Sequence, residues 1–60
     1  MEAYEKLKAL VAAAEEEVIK VDGGNKAAGT RLRKQMQDIK KACQDVRQAV
    51  LELREKPEQP

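Results

Sequence analysis

The sequence contains no histidine, no tryptophan and no phenylalanine, a single tyrosine at position 4 and a single cysteine at position 43. Each of these gaps removes a class of activity. Without histidine there is no imidazole to act as a general base near neutral pH, or to activate Cys43 as a nucleophile. No metal-ligand spacing and no Gly-rich loop after a strand is present either, so no enzyme, no cofactor and no metal is expected. Glu15-Glu16-Glu17 does not change this, because consecutive helical residues point in different directions and read as a solvated face. A lone cysteine closes no intramolecular disulfide, and with no signal-like apolar run it fits a reducing, cytoplasmic setting. One aromatic ring gives no platform for stacking successive bases. The longest apolar run, Ala9 to Ala14, falls far short of the ~20 residues of a membrane span.

What remains is mostly Ala, Glu, Lys, Leu, Arg, Gln and Val, the composition of long helices and coiled coils. With 60 residues the chain is one small domain, expected over residues 1–56 with a frayed tail at 57–60 after the helix-stopping Pro57. A chain this short buries only ~60% of its unfolded surface, so oligomerisation is expected.

Tyr4, Leu7, Val11, Ala14, Val18 and Val21 follow one another at intervals of 3, 4, 3, 4 and 3, a heptad seam widened by Ala3 and Leu10. Asp22-Gly23-Gly24 stops that helix. Gly29, Leu32, Met36, Ile39, Cys43, Val46, Val50 and Leu53 repeat the pattern, flanked by Ala42 and Ala49. Asn25 is the candidate N-cap; a later start capped by Thr30 would spare Gly29 a helix-interior position. The spacing therefore predicts an all-α antiparallel hairpin of two helices, about residues 2–21 and 26–55.

Aligning the seams sets Val21 against Gly29, Val18 against Leu32, Ala14 against Met36, Val11 against Ile39, Leu7 against Cys43 and Tyr4 against Val46. In that register Gly29 serves close packing, Met36 fills a gap and Cys43 is a small buried hydrophobe. Val50 and Leu53 overshoot the first helix, which the second outreaches by roughly 15 Å. Homodimerisation into a four-helix bundle or coiled coil completes the fold, with Leu32, Met36, Ile39, Val46, Val50 and Leu53 as the expected oligomer interface; a tetramer is equally open.

The formal charge of +1 conceals an asymmetry. Met1 to Asp22 carries three basic and six acidic residues, a net of −3; from Gly23 onward nine basic face five acidic, a net of +4. Between Gly24 and Lys41 six cations (Lys26, Arg31, Arg33, Lys34, Lys40 and Lys41) oppose only Asp38. On a helix these project mostly away from the seam, with Arg31 on one flank, and the Gly24 and Asn25 N–H groups would add an anion site at the helix start. The stripe reads either as a solvated face with small i,i+4 pairs such as Lys34/Asp38, or as a footprint on nucleic-acid phosphates.

Residues 23–50, "GGNKAAGTRLRKQMQDIKKACQDVRQAV", resemble the small bacterial linker-histone-like proteins related to the chlamydial histone-like DNA-condensing protein. Their shared signature is Gly-Asn-Lys-Ala-Ala-Gly-Thr-Arg-x-Arg-Lys, and the likeness extends loosely over the whole chain and closely from Gly24 to Gln44. The resemblance implies nucleoid association, with Lys26, Arg31, Arg33 and Lys34 as the matching cationic positions. The chlamydial relatives continue into a long lysine-rich tail where this sequence reads "LREKPEQP", so binding is expected to be weak and salt-sensitive. Two functions follow: DNA binding through phosphates without sequence specificity, or a helical interaction module with no nucleic-acid role.

Overall fold

The computed structural model describes residues 1–54. The expected end of the second helix at Glu55 and the tail at 57–60 lie outside those residues. Two helices make up nearly all of the described chain: α1, Glu2–Asp22, and α2, Lys26–Arg54, with no strand among the described residues. Glu2 and Glu5 occupy the first turn of α1, where the positive end of the helix dipole favours them.

The reversal is built from backbone bonds. The Gly24 N–H donates to the Val21 carbonyl and the Asn25 N–H to the Lys20 carbonyl, each at 2.9 Å, a Schellman closure. Such a closure needs one residue at positive φ, and it is Gly24, at +95°, rather than Gly23, at −84°. The Asn25 side chain then caps α2, its Oδ1 accepting from the Ala28 N–H at 3.0 Å. α2 therefore starts at Lys26 rather than after Thr30, and Gly29 lies inside it. Met1 shares a surface hollow with Ala49, Glu52 and Leu53, so the start of α1 lies beside the far end of α2 and the helices run antiparallel. With 29 residues against 21, α2 passes the start of α1 by about 12 Å, close to the expected overshoot, and Met1 lies beside Leu53 there.

The seam between the helices differs from the one the largest apolar residues suggest. Its buried side chains are Ala14, Ala28 and Ala42, at 3, 0 and 3% exposure. Half-buried around them are Ala3, Leu7, Leu10, Glu17 and Val21 from α1, and Leu32, Gln35, Ile39, Val46 and Ala49 from α2. One row of the expected seam on each helix is kept: Leu7, Ala14 and Val21, and Leu32, Ile39 and Val46. The other rows have turned outward, leaving Tyr4, Val11, Val18, Met36 and Val50 at 40 to 52% exposure and Cys43 exposed. The physical reason is size: a neighbouring helix can cover a methyl group completely, whereas a valine, methionine or tyrosine on a two-helix seam keeps one side in water. Gly29 follows the same rotation. A Cβ placed there would meet nothing within 4 Å, so close packing does not require it.

Replacing Ala42 by Leu is expected to wedge the seam open at a cost of about 1–3 kcal/mol in urea unfolding followed by circular dichroism. Gly24→Ala should cost about 1–2 kcal/mol through its positive φ. Gly23→Ala should be nearly neutral, since its new Cβ would meet the Lys20 and Ile19 carbonyl oxygens at ordinary distances of 3.5 and 3.7 Å; equal losses at the two glycines would contradict this account of the turn.

Candidate nucleic-acid interface

The rotated seam divides the hairpin surface into two unlike edges and an outer face on α2. On one edge a shallow groove of about 360 Å³ is lined by Val11, Ala14, Glu15, Val18, Met36 and Ile39. The other edge is polar. There Lys6, Leu10, Asp38, Lys41, Ala42 and Asp45 surround a cleft of about 260 Å³, and Glu17 reaches across to Arg31. The third surface, opposite the α2 seam by the 100° advance per residue, carries Lys26, Arg33, Lys34 and Lys40.

These positions separate the six expected cations. Lys26, Arg33, Lys34 and Lys40 are exposed and face outward. Lys41 leans onto the polar edge, where Asp38 and Asp45 share its cleft. Arg31 is bound within the chain: its Nε donates to Glu17 Oε2 at 3.1 Å, with the arginine side chain 49% and the glutamate 15% exposed. The Gly24 and Asn25 N–H groups, expected to greet an anion at the helix start, are both consumed by the Schellman closure, and Asn25 Oδ1 takes the Ala28 N–H. Lys26 and Ala27 are left as the donors of the first turn. Of the expected oligomer interface, Leu32, Ile39 and Val46 are half-buried in the seam, whereas Met36, Val50 and Leu53 are exposed at 44, 41 and 46%.

Arg47 and Arg54 extend the cationic surface. With Arg33 and Lys40 they recur at seven-residue intervals, all exposed, forming a row roughly 31 Å long. Both also line a hollow with Val46, Val50 and Leu51, which sets this row along the rim of the apolar edge. Counting charge in one contiguous block ends at Lys41 and misses them; counting at heptad spacing finds them.

The Glu17–Arg31 bond holds the Glu17 carboxyl below its ordinary value of 4.5, first through the hydrogen bond from Arg31 and then through the charges of Arg31 and Lys20, against an opposing effect of desolvation. The second carboxylate oxygen, Oε1, is buried with no hydrogen-bond partner, as is Gln35 Oε1. Removal of Arg31 would therefore leave a half-buried carboxylate facing the seam.

Comparison with known proteins places the chain. A family model described as histone H1-like protein Hc1 matches residues 1–56, and the chain belongs to that family. No curated protein and no solved structure matches it.

Because the Glu17 pKa is lowered on folding, the pair contributes stability above about pH 4.5 that is lost as the pH falls through the folded-state value. Glu17→Gln should melt below the parent near pH ~6, and the gap should narrow as the pH is lowered below about 4.5. A gap independent of pH would show that the carboxylate charge plays no part.

Proposed function

We propose that this hairpin, as a homodimer, binds DNA through its phosphates without reading base sequence, and acts as a nucleoid-associated protein of the cytoplasm. The observation that carries the reading is the exposed cationic face of α2, where Lys26, Arg33, Lys34 and Lys40 stand clear of any carboxylate partner among the described residues, in a chain of a histone H1-like family. Such a family is one of DNA-packaging type rather than an enzyme family. Arg31 and Lys41 join the footprint from the side, Arg31 only when phosphate displaces Glu17. Arg47 adds to it from the same row as Arg33 and Lys40.

The chemistry of such a footprint is counterion release. Each lysine or arginine that neutralises a phosphate frees a condensed cation, so affinity falls steeply with salt and varies little with base composition. A cationic row of roughly 31 Å matches about one turn of duplex, ~34 Å. One row is a modest anchor, and a dimer carrying two raises the apparent affinity through the second contact. The hairpin also supplies a reason to dimerise: no large apolar side chain is fully buried among the described residues, and Tyr4, Val11, Val18, Met36 and Val50 line one edge at 40 to 52% exposure. That edge favours the second reading as well, a helical interaction module whose charges serve solubility. The two readings part on nucleic acid.

Reversing Lys26 and Lys34 to Glu leaves the Glu17–Arg31 bond and the rim row intact and tests the outer face alone. Retention on immobilised DNA at ~50 mM salt should fall sharply with helicity unchanged, and the parent's salt slope should be about −4 or steeper, flattening by about 2 or more in the variant. Equal retention of variant and parent, or no retention of the parent, would leave the interaction module as the function.

A further inference from the structure

We infer that a second copy closes the apolar edge with its α1 lying against α2, and not with the two α2 helices together. This rests on the dimer proposed above and specifies how it is built. The two edges of the hairpin are chemically unlike, so only one can take an apolar partner. The polar edge is occupied by the Glu17–Arg31 bond and by the cleft among Lys6, Asp38 and Asp45. The apolar edge holds the 360 Å³ groove between Val11, Val18 and Met36. A single self-complementary face gives a closed pair rather than a filament.

Charge at the rim of the groove selects between the two ways of closing it. Along α2 the rim is Arg33, Lys40, Arg47 and Arg54, of one sign throughout. Along α1 the rim is Lys8, Glu15 and Asp22, and Lys8 is already engaged: its Nζ lies 3.2 Å from Glu5 Oε1 and 5.3 Å from the centre of the Tyr4 ring. If α2 lay antiparallel against its twin, centred on the middle of the helix, Lys40 would face Lys40 of the second copy and Arg33 would face Arg47. Like charges opposed along a helical seam destabilise it and select against that pairing.

With α2 against the second copy's α1, the twofold axis runs along the bundle and each residue keeps its level. Arg31 is level with Glu17 in its own chain, so Arg33 comes level with the turn that carries Glu15 in the second copy. At that level Arg33 meets Glu15 with opposite sign and Lys40 meets Lys8, whose charge its neighbour Glu5 offsets, whereas every rim pair of the α2-to-α2 arrangement is of like sign; every neighbouring pair of helices is also antiparallel. In this arrangement Cys43 lies beside the second copy's Tyr4, and the two Cys43 residues stand at opposite corners. In the rejected arrangement Cys43 lies beside the second copy's Met36.

Disulfide mapping on the full chain separates the two. A Tyr4→Cys/Cys43→Ser chain mixed with the parent chain, and a Met36→Cys/Cys43→Ser chain mixed likewise, are each oxidised by air with copper–phenanthroline, and sedimentation equilibrium gives the mass before oxidation. The expected result is a dimeric mass and a disulfide-linked heterodimer from the Tyr4→Cys mixture, with the Met36→Cys mixture at least tenfold lower in yield. Comparable or greater crosslinking through Met36→Cys, or none in either mixture while the mass is dimeric, overturns the α1-to-α2 arrangement alone. A monomeric mass overturns the dimer reading on which it stands.

Discussion

One neighbouring helix can cover a methyl group from every side, and this limits what a two-helix protein can bury. Among the described residues Ala14, Ala28 and Ala42 are covered almost completely, and no larger apolar side chain is. The hairpin thus forms by close approach of two backbones at their smallest residues, with Leu7, Leu32, Ile39 and Val46 filling the space beside them. Dispersion across so narrow a seam is collectively useful, yet the apolar area removed from water is small, and little stability remains once conformational entropy is set against it. Much of the remaining apolar area, from Tyr4, Val11, Val18, Met36 and Val50, sits on one outer edge. The dimer proposed above and the placement of the cationic surface both rest on that division.

Charge is organised by the same rotation. Turning the alanine rows inward carries Glu17 to the border of the seam, where its carboxylate has Arg31 within reach and little water around it. The bond pins one end of the hairpin close to the turn and withdraws one cation from the surface. Most of the remaining cations of α2 fall in two groups: Lys26 and Lys34, exposed on the outer face, and the Arg33–Lys40–Arg47 row, shared between that face and the rim of the apolar edge. A histone-like role needs cations that stay accessible after the apolar edge is covered, and the outer face satisfies that condition. The rim residues do not have to choose, since a carboxylate on one side of an arginine leaves donors for a phosphate on the other.

Local signals carried the helix boundaries well. Asn25 as a cap and glycine at the reversal are short-range features, and the structure realises each of them with named hydrogen bonds. What short-range reading missed is rotational. A 3–4 pattern with apolar residues on three adjacent rows permits two seams that share a row, and ranking by hydrophobic size picks Tyr4, Val11, Val18, Met36 and Cys43. The recurrence of alanine at 28, 42 and 49 beside Leu32, Ile39 and Val46 was the signal for the other seam. It is weighted correctly only when the question becomes which side chains one neighbour can enclose. The two N–H groups assigned to an anion failed for a related reason: a glycine-closed helix end consumes the donors that follow it. At the site, the outward cations were legible from periodicity alone. The engagement of Arg31 was not, because Glu17 lies fourteen residues away on the other helix.

The claim most exposed to test is that the alanine seam leaves the larger apolar residues for another copy. Thermal unfolding by circular dichroism over about a hundredfold range of protein concentration measures this directly, because association adds a mass-action contribution to apparent stability. The account predicts a melting temperature that climbs steadily with concentration. A melting temperature unchanged across that range, with a fully helical monomer at its dilute end, would contradict it.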